Sequence, residues 1–313
     1  MLDLDALRAL VAAHGPVARV VVMTVHGSAP REEGAAMLVH GTGQEGTIGG
    51  GALEWQAAAT ARALLARPGP ARIDRLALGP ALGQCCGGAV TLLTEVWDEA
   101  RLASLRVAGG LTARPLDGSE MPLAVARLLD RARAQGATVP LQQSGGWLVE
   151  PLLRPRRTLW IWGAGHVGRA LVAVLAPLPD LAIRWIDIAP DRFPATIPPG
   201  VEVVAAADPA GVVAEAPAGA EHLILTYSHA LDLELCHRLL GHGFGACGLI
   251  GSASKRARFA ARLAALGHGA DAMGRIDCPI GDPGLGKHPQ AIAIGVAAAV
   301  LNRRTAAAER ARA

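Results

Sequence analysis

Two adjacent cysteines, Cys85 and Cys86, stand in the glycine-dense stretch Leu78-Gly-Pro-Ala-Leu-Gly-Gln-Cys-Cys-Gly-Gly88. A disulfide between neighbours strains the peptide that joins them, so the pair reads as two free thiols. Main-chain amides of a glycine loop lower a thiol's pKa and can present it as thiolate. The matching partner is a soft metal or a sulfur atom in transit, with Gln84, Gly87 and Gly88 as the immediate surroundings. The competing reading is that two small side chains fill a tight loop. Upstream lie Gly27-Ser-Ala-Pro-Arg31 and Gly46-Thr-Ile-Gly-Gly-Gly-Ala-Leu-Glu54. The second opens a helix through Gly49, Gly50 and Gly51, a natural anion cradle. Arg31 offers a bidentate phosphate grip, against the plainer role of an exposed turn arginine.

A different chemistry is written in the second half, where Leu159-Trp-Ile-Trp-Gly163-Ala-Gly165-His-Val-Gly168 leaves a strand and enters a helix. Gly163 permits the turn, Gly165 lets backbone approach a phosphate, and Gly168 packs helix on strand. Asp187 ends the next strand, about 20 residues past the third glycine, where an acid accepts bonds from ribose hydroxyls. A fold that has lost its nucleotide would keep the same pattern. His229 and Asp232 are the acid–base candidates that a dehydrogenase would require. Asp232 could equally serve the first turn of its helix. Lys255 sits where a strand passes into a helix, placed to meet an anion or to be a plain helix-start lysine. The spacing of His222, His229, His237 and His242 fits no compact metal template.

These residues need scaffolds to hold them. In the first half the apolar pattern predicts a helix over Leu2–Ala13, strands at Arg19–Val25 and Ala35–His40, and a hairpin-like turn over Gly41–Gly46. A helix over Ala52–Ala66 and strands at Ile73–Leu78 and Ala89–Val96 follow. Residues 98–150 show only a helical spacing at Leu123–Ala134 and a short strand at Trp147–Pro151. In the second half strands at Thr158–Trp162, Ala182–Ile188, Glu202–Ala205, Leu223–Tyr227 and Gly245–Ile250 alternate with helices at Val167–Leu175, Leu231–His242 and Ser254–Leu266. The last helix is Pro289–Arg303. Such alternation calls for a parallel sheet covered on both faces. The fold class is therefore α/β: a small N-terminal α/β domain, 1–110, a connecting region, 111–157, and a Rossmann-like doubly wound domain, 158–313. Proline and arginine cluster at the boundary, Pro151–Arg157.

Composition narrows the classes. The chain has 313 residues, 38 glycines, 3% aromatic residues and a net charge of +3 without long basic blocks, so nucleic acid has no electrostatic footprint here. The longest apolar run, Ala291–Leu301, is too short to span a membrane. Five cysteines, an odd number, and an N-terminus that carries acids instead of a basic leader point to reduced thiols and a cytoplasmic protein.

Taken in order, His26-Gly-Ser-Ala-Pro-Arg-Glu32, Gly46 to Glu54, Gly79 to Gly88, Gly163 to Gly168, Gly248-Leu-Ile-Gly-Ser-Ala-Ser-Lys255 and Cys278-Pro-Ile-Gly281 resemble the XdhC/CoxI family of xanthine dehydrogenase accessory proteins. The resemblance spans nearly the whole chain and is weakest over 98–150. It implies a chaperone, not a turnover enzyme. Its cargo would be the molybdenum cofactor in its molybdopterin form, held while a cysteine desulfurase replaces an oxo ligand by a terminal sulfido. The cargo then passes to the molybdenum subunit of xanthine dehydrogenase. The implied partners are that subunit, the desulfurase and the molybdenum insertion machinery, with room for a homodimer and none for nucleic acid or membrane. Under this reading Cys85 or Cys86 faces molybdenum or incoming sulfur, Cys85 being the metal contact, and Gln84 donates to an oxo or sulfido group. Arg31, Gly49, Gly50, Gly51, Gly87 and Gly88 hold pterin and phosphate in one half, and Gly163, Gly165, Gly168, Asp187 and Lys255 serve in the other. The rival is an NAD(P)-dependent oxidoreductase built on the second half with His229 as acid; the resemblance speaks against NAD(P).

Overall fold

A computed structural model describes residues 1–79, 87–136, 139–155 and 157–310. The chain divides into two compact units, Met1–Arg154 and Pro155–Ala313.

The N-terminal unit begins with α1 (Leu4–His14), capped by the Asp3 carboxylate, which accepts from Ala6 N at 3.0 Å. Its buried face, Leu7, Leu10 and Val11, packs with Val17 and Trp97. Then come β1 (Val17–His26), β2 (Ala36–His40), β3 (Gly43–Gly46), α2 (Gly51–Ala66), β4 (Arg72–Ala77) and β5 (Ala89–Trp97). The strands form an antiparallel sheet in the order β3-β2-β1-β5-β4. Every residue of β1 from Val17 to Met23 is buried, because both faces of the sheet are covered. Val20 and Val22 meet α2 through Leu53, Ala57, Ala58 and Ala61. Val21 and Met23 point the other way, onto Leu148.

That second covering comes from the stretch the sequence reads poorly. Residues 98–151 form α3 (Glu99–Ser104), β6 (Arg106–Ala108), β7 (Leu111–Pro115), α4 (Leu123–Gln135), β8 (Gln142–Ser144) and β9 (Trp147–Pro151). The strands build an antiparallel sheet, β6-β7-β9-β8, on which α4 lays Val125, Leu129 and Ala132. Most of the segment 111–157 expected as a connection is thus sheet and helix of the N-terminal unit. Arg19, Glu95, Arg114 and Glu150, one from each of β1, β5, β7 and β9, are buried together in this unit.

The C-terminal unit carries β10 (Arg157–Trp162), α5 (His166–Leu175), β11 (Leu181–Asp187), β12 (Val201–Ala205), β13 (Glu221–Ile224), α6 (His229–His242), β14 (Ala246–Leu249), α7 (Ala253–Ala265), α8 (Ala270–Gly274), β15 (Ile276–Asp277) and α9 (Pro289–Arg310). All six strands are parallel, in the order β12-β11-β10-β13-β14-β15. The order reverses between β10 and β13, the switch point of a doubly wound sheet. One face of the sheet meets α5 and α9, the other α6 and α7. β13 begins two residues earlier than its apolar run suggests and stops at Ile224. Ser228 then caps α6 by accepting from Leu231 N. Leu225 to Ser228 thereby become a loop at the carboxyl edge of the sheet. Among the described residues, no helix is long and apolar enough to cross a membrane.

Candidate functional site

Three glycine-bearing segments of the N-terminal unit meet at one end of its sheet. Gly88 packs on the carbonyl oxygens of His26 and Ser28 with no room for a Cβ. Leu78 N donates to Gly88 O at 2.7 Å, which closes the base of the cysteine-bearing loop. Gly49, at φ +127°, lies under the Pro30 ring, so the loop before Arg31 rests on the turn before α2. The loops after β1, after β3 and before β5 are therefore neighbours. Gln84, Cys85 and Cys86 themselves lie outside the described residues, whereas Gly87 and Gly88 are described.

The anion expected in the Gly46–Gly51 turn is supplied from within. Glu54 Oε2 accepts from Thr47 Oγ1, from Ile48 N at 3.0 Å and from Gly50 N at 3.1 Å. Burial would raise this carboxyl, but the Thr47 hydroxyl and the turn amides bring it below its ordinary range. Arg31 likewise spends its fork on its neighbour Glu32, at 3.1 and 3.2 Å, and reaches Thr47 O at 3.4 Å. Both residues knit the loops together.

Trp55 belongs to none of the motifs. It is 76% exposed in the first turns of α2, while the other five tryptophans are buried. It lies one turn into the helix that the glycine turn opens. The signal was present in the sequence: Leu53, Ala57, Ala58 and Ala61 carry the buried stripe, and Trp55 falls off it.

In the C-terminal unit the three glycines separate by role. Gly163, at φ +118°, presses on Leu225 O, and Gly168 packs against Gly163 O, so neither has space for a side chain. Above Gly165 the space is open, and α5 has no side-chain cap. Among the described residues no side chain caps this helix start, whose amides and dipole favour an anion. Asp187 stands behind the turn with its oxygens on Ala164 N at 2.6 Å and Ile188 N at 2.7 Å. Its carboxylate thus braces the glycine turn.

Lys255 is not an exposed helix-start residue. It is 5% exposed, with Nζ 2.6 Å from Asp232 Oδ2 and 2.9 Å from Ile250 O. Asp232 is fully buried, its Oδ1 accepting from Thr226 N and Thr226 Oγ1. The pair ties the ends of β13 and β14 together under their loops. It corrects the expectation that Asp232 serves as a dehydrogenase acid–base group: its carboxylate has no exposed surface. His229 is exposed at the start of α6. Cys236, Cys247 and Cys278 are core thiols. Burial, reinforced by Asp232, pushes Cys236 up to about 12, and burial raises Cys247 and Cys278 too. Neutral thiols are poor nucleophiles and poor metal ligands. Among the described residues no cluster of three or more His, Cys, Asp or Glu side chains could hold a metal ion.

An antiparallel α/β unit with converging glycine loops, followed by a Rossmann unit with an uncapped glycine turn, defines a class of two-unit α/β proteins. Sequence comparison gives the family: the XdhC Rossmann domain matches residues 159–300, and the XdhC and CoxI family pattern matches residues 10–75. The chain belongs to the XdhC family. A crystal structure described as a xanthine dehydrogenase from Bacillus halodurans shares its fold, with a TM-score of 0.68 and 22% identity over 96% of this chain and 95% of that one. A Rossmann-fold NAD(P)-binding family protein from Shigella flexneri is far less similar, at TM-score 0.28 and 12% identity over 36% of this chain and 63% of that one. No curated protein matches the chain.

Proposed function

We propose that this protein is an accessory factor in xanthine dehydrogenase maturation. It carries the molybdenum cofactor, holds it for sulfuration by a cysteine desulfurase, and passes it to the molybdenum subunit. Family membership supports the maturation role. The observation that carries the cargo reading is the start of α5, an uncapped helix N-terminus with open space over Gly165. A phosphate fits there, since the dipole and free amides of a helix start favour an anion. It does not fit the turn before α2, where Glu54 already sits. Lys255 is committed to Asp232 and supports the neighbouring loops from below. Trp55 is an exposed indole of the N-terminal unit, the kind of flat face on which an aromatic ring stacks. Cys85 and Cys86 supply thiols for the soft metal or its incoming sulfur, with Gln84 as donor.

Protein isolated from a molybdenum-competent host should release a fluorescent oxidised pterin on denaturation. Cys85→Ala or Cys86→Ala should lower the pterin content or the sulfuration of the cargo. Absence of pterin from the wild-type protein defeats the carrier reading, and unchanged content and sulfuration in both variants removes the thiol role.

A further inference from the structure

The ion network buried in the N-terminal unit does not balance its charge. Arg19 grips Glu150 at 2.8 and 3.0 Å and lies 3.5 Å from Glu95. Arg114 bonds both carboxylates, and Arg101 Nη2 donates to Glu95 at 2.7 Å. Three guanidiniums thus meet two carboxylates, and Arg114 Nη1 has no hydrogen-bond partner among the described residues. The nearby Asp98, which caps α3 by accepting from Arg101 N, also offsets part of the Arg101 charge, but from an exposed position where water screens it. The Met1 ammonium also lies within electrostatic reach of the network, and burial lowers its pKa.

Beside this network is a cavity of about 410 Å³. Among the described residues its charged lining is Arg101, Arg106 and Arg114, with no acid. Arg106 is exposed on β6, and its side chain has no partner among the described residues. Arg101 is 28% exposed, and Arg114 forms part of the buried wall. Leu105, Leu116 and Trp147 supply apolar surface.

We propose that this cavity binds a small phosphomonoester. The excess charge of the network and the charge of Arg106 together match a phosphate ester, which carries about −1.5 to −2 at neutral pH. Arginine forks suit tetrahedral oxyanions. The volume exceeds that of the roughly 150 Å³ cavity known to hold benzene, so an organic body fits beside the phosphate on the leucines and Trp147. The site is independent of the carrier reading, since its arginines fall outside both family matches.

Calorimetric titration of the full chain with phenyl phosphate tests this, with benzoate as a carboxylate of similar shape. Phenyl phosphate should bind, and more weakly as salt screens the arginines. Arg106→Gln should weaken it about tenfold or more at unchanged thermal stability, as loss of one charged hydrogen bond implies. Arg258→Gln in the other unit should leave it unaltered. No binding by the wild type, equal binding by Arg106→Gln, or benzoate binding as tightly as phenyl phosphate would overturn the proposal.

Discussion

Glu150 is fully buried and bonds two arginines, whose guanidinium groups sustain its charge. Removing one partner from a buried pair leaves the other uncompensated, at a cost of about 3–5 kcal/mol. Glu150→Gln should therefore lower unfolding free energy by that amount in urea titration. A loss below 1 kcal/mol would mean that water reaches the network. Lys255 and Asp232 permit a sharper test. Lys255→Met alone should destabilise by a similar roughly 3–5 kcal/mol, whereas Lys255→Met with Asp232→Leu should recover most of it, because replacing a buried pair by apolar groups is often neutral. Purely additive losses in that cycle would show that the pair contributes nothing as a pair. Residue types hinted at little of this. Lys255 and Asp232 are 23 positions apart on different helices, and no local pattern tells a buried lysine from an exposed one.

At the scale of elements, the glycine turn before α5 separates support from binding. Gly163→Ala forces a side chain into a left-handed backbone position against Leu225 O and should cost about 1–3 kcal/mol, read as a lower melting temperature. Gly165 has an extended φ of −73° and open space above it, so Gly165→Ala should keep stability within about 0.5 kcal/mol. If the cargo's phosphate rests on that turn, Gly165→Ala should nevertheless lower the copurified pterin. Unchanged pterin would move the phosphate elsewhere. The roles of Gly163 and Gly168 were legible because strand, turn and helix follow one another within a dozen residues. The role of Glu54 was not, although it lies only four residues beyond Gly50. Its side chain turns back along the helix into the turn, and only the folded loop shows the amides waiting there.

On the scale of the whole molecule, the two units should answer acid in different ranges. Burial, with His242 nearby, pushes the His222 imidazole down to about 4. Its folded pKa is depressed, so the stability it contributes is complete above about 6.5 and is lost as pH falls toward 4. Burial alone would raise the Glu150 carboxyl, but Arg19 and Arg114 hold it at about 2. Its contribution is complete above about 4.5 and is lost between there and 2. Near Trp160 and Trp162, which flank His222, emission should change in mild acid, before the N-terminal unit loses Trp97 and Trp147 to solvent. His222→Gln should flatten the dependence of stability between pH 6.5 and 4; an unchanged slope would place the titration on another group. The sequence by itself determined the alternation of the second half, the glycine turns and the order of the helices, because apolar period and turn chemistry act over a few residues. It also carried the stretches, 10–75 and 159–300, by which the family is recognised. Tertiary structure alone decided that β1 is covered on both faces, that residues 98–151 form the second covering, and that the charges of four strands meet in one buried network. Those outcomes depend on strands far apart in the chain, Arg19 on β1 with Glu150 on β9, and pairing at that distance is set by three-dimensional packing and the need to compensate buried charge, neither of which leaves a local signature.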